Sequence, residues 1–470
     1  MTLSVALDPR LALPLYRQLY QRFRDALDEG RLRPGDRVPA VRALAAELNV
    51  ARGTVEAAYQ QLIAEGFLVT RGPAGTLVSP HWSRAVSPAA AMARPTTSVV
   101  ATHTGSVPLP LQLGLPALDA FPRKLWTRLA ARQLRGAGLE GLVYPDAHGH
   151  AGLRSAIATY LGLSRGIACS PEQVFVCAGY RACLDLVVQT LLAPGDACWF
   201  EEPGYFNARH ALQAARLQLV PVPVDGEGLD VAAGLARAPQ ARCALVTPSH
   251  QSPLGVSLSL SRRLALLDWA RRSDAWVIED DYDSEFRYLG KPLPALKSLD
   301  DGGRVLYTGT FSKVLFPGLR LAYLVVPPEQ VAAFASSLDR GHNPVPQLWQ
   351  ATVASFLADG HFARHLKRMR TLYRQRRQWL AEALAVSLGE RVRIELQAGG
   401  LHLLARLEDG DDQAWAAAAQ AEGLAVQALS RWYLETPRAQ GLLLGFTNVA
   451  GPAEALELAQ RLGRRLHRPG

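Results

Sequence analysis

The stretch Tyr307-Thr308-Gly309-Thr310-Phe311-Ser312-Lys313-Val314-Leu315-Phe316-Pro317-Gly318-Leu319-Arg320 decides how the rest of the chain is read. Lysine is scarce in this protein: only Lys124, Lys291, Lys297, Lys313 and Lys367 occur, in a chain rich in arginine. One of them stands here between small hydroxyl residues and an apolar run. Lysine can do what arginine cannot, which is lose its proton when buried and attack a carbonyl. Arg320, farther along the same stretch, offers a planar fork suited to a phosphate.

Working outward, Val277-Ile278-Glu279-Asp280-Asp281-Tyr282-Asp283 reads as a buried strand ending in carboxylates and a tyrosine. Pyridoxal 5′-phosphate asks for such a set: a lysine for its aldehyde, a carboxylate for its ring nitrogen, a phosphate clamp and a phenol near its ring oxygen.

At 470 residues the chain exceeds one ordinary core, so two or three domains are expected. A hydrophobic content of 49% with 20% charged residues describes a globular protein and excludes a disordered one. The net charge of +9 permits nucleic acid or anionic ligands as partners. No apolar run is long enough to cross a bilayer, and Met1 to Arg10 lacks the pattern of a signal peptide. The five cysteines, Cys169, Cys177, Cys183, Cys198 and Cys243, lack metal-ligand spacing and read as reduced thiols of a cytoplasmic protein, with no metal.

In chain order, Leu15, Leu19, Phe23 and Leu27 recur at four-residue steps and predict an amphipathic helix from Pro14 to Glu29. A second helix is predicted over about Ala40 to Leu48 and a third from about Gly53 to Glu65. The third has Val55, Ala58, Tyr59, Leu62 and Ile63 as its inner stripe. Phe67 to Arg71 and Thr76 to Val78 flank Gly72-Pro73-Ala74-Gly75 as a hairpin. Three short helices and a two-stranded wing are the layout of a winged helix-turn-helix. Arg42, Arg52 and Thr54 fall at helix starts, where phosphates can be met. Charge adds little, with ten arginines against eight acids in residues 1–80.

Residues 13–79 resemble the DNA-binding domain of the GntR family. The matches include Gly30-Arg31-Leu32-Arg33-Pro34-Gly35, Arg42-Ala43-Leu44-Ala45, Arg52-Gly53-Thr54-Val55, Leu62-Ile63-Ala64-Glu65-Gly66 and Gly75-Thr76. The resemblance adds Gly53 and Gly75 to Arg42, Arg52 and Thr54 as expected DNA contacts. Ala40 and Ala51 stand where that family commonly has serine. Residues 81–111, rich in Pro, Ala, Ser and Thr, read as a linker between a head at 1–80 and a body at 112–470.

Within the body, Val174 to Cys177 reads as a strand running through Ala178-Gly179-Tyr180-Arg181 into a helix from Ala182 to Leu192. A strand, a glycine turn and a helix start make a phosphate cup from free amides and the helix dipole. Strands follow at Ala197 to Glu201, Cys243 to Thr247, Trp276 to Ile278 and Arg304 to Tyr307, with a helix from Ser261 to Arg272. This alternation predicts an α/β fold with a mostly parallel sheet and its ligand at the carboxyl ends of the strands. Gly179, Tyr205, Asp280 and Lys313 all fall at such ends.

Residues 112–470 resemble the fold-type I pyridoxal-phosphate aminotransferases, with a smaller C-terminal subdomain. The resemblance rests on Leu163-Ser164-Arg165-Gly166, Glu202-Pro203-Gly204-Tyr205, Thr247-Pro248-Ser249-His250-Gln251, Glu279 to Phe286 and the Lys313 stretch. Joined to a GntR-type head, the chain is similar to the MocR/GabR type of bacterial transcriptional regulator. That resemblance implies that Lys313 forms the internal aldimine, that Asp280 pairs with the pyridine nitrogen and that Tyr282 bonds the ring oxygen. It implies a phosphate held by Arg320 with Thr310 and Ser312 near and by the turn Gly179-Tyr180-Arg181. Tyr205 is expected to stack on the ring, Arg431 to hold a substrate carboxylate, and Tyr144 to reach the other subunit's cofactor in a homodimer.

The loop Ser249 to Gly255 lacks the asparagine that aminotransferases place against the ring oxygen, which tilts the reading away from efficient turnover. A structural hydrogen bond is the default expected of His250. The expected function is a cytoplasmic regulator that binds operator DNA and senses an amino compound by external aldimine formation at Lys313. The alternatives are a working aminotransferase with an appended head and a GntR regulator without cofactor.

Overall fold

The computed structural model describes residues 7–11, 13–72, 75–81, 107–290, 293–340 and 345–466. The chain divides into two units, residues 1–104 and 105–470. Most of the stretch read as a linker lies outside the described residues. Its last residues are already part of the body: Pro110 and Leu111 accept backbone hydrogen bonds from Ala425 and Gly445, and Leu111 is 3% exposed.

In the first unit, helices Leu15–Asp28, Val41–Glu47 and Arg52–Ala64 bury the faces that their periodicity predicts. Leu19, Phe23 and Leu27 pack on Val55, Ala58, Tyr59 and Leu62 in one core that also takes Leu44, Leu68 and Val78. Each such side chain, fully buried, contributes about 1.5–3 kcal/mol. Phe23 and Tyr59 meet edge to face at 5.3 Å, and the Tyr59 hydroxyl donates to the Pro39 carbonyl at 2.9 Å. Asn49, at φ +50°, makes the left-handed turn between the second and third helices. Strands Leu68–Thr70 and Thr76–Val78 pair antiparallel as the wing.

The second unit is built on an eight-stranded sheet. Its spatial order is Val174–Cys177, Ala322–Val325, Val305–Thr310, Trp276–Asp281, Cys243–Val246, Ala197–Glu202, Gln218–Asp225 and Gly228–Leu229. The five strands from Val305–Thr310 to Gln218–Asp225 run parallel, and Ala322–Val325 runs antiparallel to both neighbours. Four-residue runs such as Val174–Cys177 and Cys243–Val246 are buried throughout, as expected of strands covered on both faces. A 28-residue helix, His361–Leu388, packs against Pro452–Leu466 and leads into a four-stranded antiparallel sheet. That sheet has the order Val392–Glu395, His402–Leu407, Gly441–Gly445, Gln427–Ala428. Among the described residues no helix is long and apolar enough to cross a membrane.

Two local differences from the sequence reading matter. The strand expected to stop at Ile278 continues to Asp281, because Asp280 and Asp281 pair in register with Thr308 and Gly309. The helix expected from Ala182 starts at Tyr180, which places Tyr180 and Arg181 in its first turn.

Candidate functional site

Lys313 lies in the turn that follows strand Val305–Thr310, at the carboxyl end of the parallel sheet. Its Nζ donates to the Gly114 carbonyl at 2.8 Å. Burial holds its pKa below the usual lysine range, opposed by the nearby charges of Asp283 and Asp280. Gly114, at φ +75°, takes a left-handed conformation that favours glycine, and a Cβ there would displace the amine.

Asp280 is buried at the end of the neighbouring strand. Burial pushes its carboxyl up to about 8, and Asp281, Glu201 and Asp283 add to the rise. The Tyr180 phenol opposes this from beside the carboxylate; its buried hydroxyl otherwise has no hydrogen-bond partner. The same desolvation raises Glu201 and Glu279 to about 7. Glu201 is held by Thr247 and Gln251, and Glu279 by the amides of Leu296 and Lys297. Asp281 alone has a strong cation, with Arg165 at 2.7 Å, and it also accepts from the Tyr307 hydroxyl. The floor of the site is therefore rich in carboxyl groups and poor in cations, a setting that favours a positively charged ring edge.

The phosphate cup forms as the strand–turn–helix reading expects. Gly179 caps helix Tyr180–Leu191 at φ +92° and ψ 170°, with no side-chain cap, so the first amides stay free. Arg320, itself left-handed at φ +50°, bonds the Ala178 carbonyl at 3.3 Å and lies against Gly179. The Ser312 amide bonds the Thr310 hydroxyl at 3.1 Å. Arg181 turns its side chain to Asp185 at 2.8 Å, leaving its backbone for an anion. Tyr205 stands across from Tyr180, ring centroids 6.2 Å apart, with Trp432 behind it at 6.0 Å.

Tyr282 meets His250: Nδ1 lies 2.9 Å from its hydroxyl and 3.1 Å from Asp283 Oδ2. The sequence reading expects a structural hydrogen bond of this histidine, and the Tyr282 hydroxyl is its partner. It gave no role to Gly114, and quoted Arg165 only within a matching segment. The one available signal was glycine, since Gly255 and Gly400, both at positive φ, wall the imidazole.

Two expected residues are not brought to this group. Tyr144 is 96% exposed, beside exposed Leu139, Leu142 and Val143. Arg431 is exposed, and its carbonyl accepts from Arg209 at 3.5 Å.

In the first unit, Arg42 is exposed in the first turn of its helix, and Arg52 and Gly53 are exposed at the start of the third, with Thr54 half-buried. Arg52 pairs with Glu56 at 2.8 Å. Ala40 and Ala51 occupy the N-cap positions and offer no side-chain cap. Gly75, at φ +86°, turns the wing against the Arg37 guanidinium.

Residues 118–439 match the class I and II aminotransferase family, and residues 15–78 match the gntR family of bacterial regulatory proteins. The chain is 38% identical to the probable rhizopine catabolism regulatory protein MocR of Rhizobium meliloti, over 95% of this chain and 92% of that one. It is 35% identical to the HTH-type pyridoxine biosynthesis transcriptional regulator PdxR of Corynebacterium glutamicum, over 94% of each. Among solved structures, the body is similar to LysN, the α-aminoadipate aminotransferase of Thermus thermophilus complexed with N-(5′-phosphopyridoxyl)-L-leucine. There the TM-score is 0.69 at 30% identity, over 76% of this chain and 92% of that one.

Proposed function

This chain belongs to the MocR type of helix-turn-helix transcriptional regulator, a gntR-family head on a class I and II aminotransferase body, and on that premise we propose how it works. The body holds pyridoxal 5′-phosphate on Lys313, the head binds operator DNA, and a small amino compound is the effector. The observation that carries this is the meeting, at one sheet end, of a lysine of lowered pKa, a buried acid and an uncapped helix start faced by an arginine.

The residues fit the cofactor. Asp280, held largely neutral at pH 7 by burial, gains a cation to pair with at a protonated ring nitrogen. The cup at Gly179, Tyr180 and Arg181 with Arg320 suits a dianion, and Thr310 and Ser312 border it. In this reading Tyr282 donates to the ring oxygen and Tyr205 covers a ring face. When bound, the cofactor supplies an aldehyde able to exchange one amine for another. Lys313 releases its proton readily in this buried setting, and Asp280 keeps the ring nitrogen protonated.

A second copy of the chain would cover the exposed Leu139, Leu142, Val143 and Tyr144 and bring Tyr144 to the partner's phosphate, making a cytoplasmic homodimer. Effector control of operator binding requires that the amine bind two arrangements of the protein unequally. Arg431 is assigned to the effector's carboxylate by resemblance alone.

The test is an absorption spectrum of the purified protein, borohydride reduction, and operator binding with and without candidate amines. A visible band, a reduced adduct on Lys313 and an amine-dependent change in operator affinity are expected. An adduct on another lysine, or no band after loading, would overturn the reading.

A further inference from the structure

We propose that His250 is a positioning residue for Tyr282, fixing the direction in which the phenol donates its proton; the proposal rests on the Lys313 reading above. One ring nitrogen, Nδ1, lies near two oxygens: it is hydrogen-bonded to the Tyr282 hydroxyl at 2.9 Å, and Asp283 Oδ2 stands 3.1 Å away. A lone pair on Nδ1 would sit beside the charge of the Asp283 carboxylate, acceptor near acceptor. A proton on Nδ1 donates to the Tyr282 oxygen and is attracted by that charge. Asp283 Oδ2 has no hydrogen-bond partner among the described residues, so its charge is left to bias the tautomer from that side.

Once Nδ1 carries the proton, the Tyr282 oxygen is an acceptor toward His250. Its own proton is turned away from the imidazole toward the ring oxygen of the cofactor, with the Ser252 hydroxyl as the phenol's other polar neighbour. Gln251, beside His250, is committed to Glu201 and to the Pro203 and Ser252 carbonyls. The direction of the Tyr282 proton therefore governs that side of the site.

The imidazole is placed by its walls. A Cβ on Gly400 would overlap the ring, and one on Gly255 would stand 3.0 Å from Nε2; both glycines have positive φ. His402 faces His250 with centroids 5.9 Å apart, and burial lowers its pKa to about 4, so it is neutral there. It is tethered to the Pro253 carbonyl at 2.9 Å. The imidazole also borders a small pocket lined by Arg165, Ser249, Asp283 and Ser284 with Phe286 and Leu293.

The experiment uses the full chain loaded with pyridoxal 5′-phosphate and reads the pH at which the visible band of the bound cofactor changes. A donor on the ring oxygen stabilises its anion and eases loss of the neighbouring proton, so removing the donor raises that pH. Tyr282→Phe and His250→Phe should each raise it by about one unit, and the double variant should add little to either. Equal titration of wild type and His250→Phe, or independent addition in the double variant, would overturn the proposal. If His250→Phe does not fold, an unshifted His250→Ala overturns it alone. A wild type without a visible band would instead overturn the Lys313 reading.

Discussion

Arg320 and Gly179 leave little room between them: a Cβ on Gly179 would stand 3.2 Å from both Arg320 Cζ and Nη2 and press the guanidinium aside. The glycine also holds a backbone conformation, φ +92° and ψ 170°, that other residues adopt only at a cost of about 1–3 kcal/mol. Both effects fall on the cup. Gly179→Ala should weaken pyridoxal-phosphate affinity about tenfold or more, measured by absorbance titration of the cofactor-free protein. Unchanged affinity would show that the phosphate does not sit there.

Asp280→Asn should separate stability from binding. The folded-state pKa of Asp280, about 8, lies above the usual carboxylate value. The native form therefore holds a proton that the unfolded chain has lost, and stability falls as pH rises from about 4 to about 8. Asparagine removes that loss. The cofactor-free variant should be more stable than wild type at pH 8, by about 1 kcal/mol or more, in denaturant titrations. Its retention of the cofactor should drop. A variant less stable at pH 8 and equal at pH 4 would refute the assignment.

Arg52 is engaged by Glu56 in the free protein, an exposed pair that contributes little to stability. Arg52→Ala should weaken operator binding and lower the salt slope by about one, with cofactor absorbance intact. Glu56→Gln should strengthen binding by releasing the guanidinium. Identical salt slopes for wild type and Arg52→Ala would rule out a phosphate contact at this helix start.

Tyr144→Phe and Lys313→Ala, each defective alone, should complement when mixed. A dimer of one of each keeps one whole site, with Lys313 from one chain and Tyr144 from its partner. Normal phosphate affinity should return in a fraction of the sites. Proven subunit exchange without recovery would leave Tyr144 with no role across the interface.

The parts of this site that were legible in the sequence are those made by neighbours in the chain. Gly179 and Tyr180 follow a strand directly, and Asp280 lies inside one, so local pattern located them. The helices of the head agree within a residue or two, because each buries a periodic apolar stripe. The antiparallel strand Ala322–Val325 was not called; it is short and follows a left-handed arginine, with no alternation to mark it. Gly114 and Lys313 lie 199 residues apart, and no spacing rule joins them. His250 was noticed but not placed, since its partners Tyr282 and Asp283 come from another strand end.

The carbonyl that receives the Lys313 amine belongs to the stretch by which the chain enters its body, just past the residues that join it to the head. That bond needs a nitrogen with a proton free to point at the carbonyl. Were the nitrogen joined to a cofactor's aldehyde carbon, its one remaining proton would be drawn to the ring oxygen and Gly114 would lose its donor; an amine that freed the lysine would restore it. Gly114 would then be a latch whose hold depends on which amine owns the aldehyde. The chemical state of one lysine would be read by the backbone of the segment through which the chain enters its body.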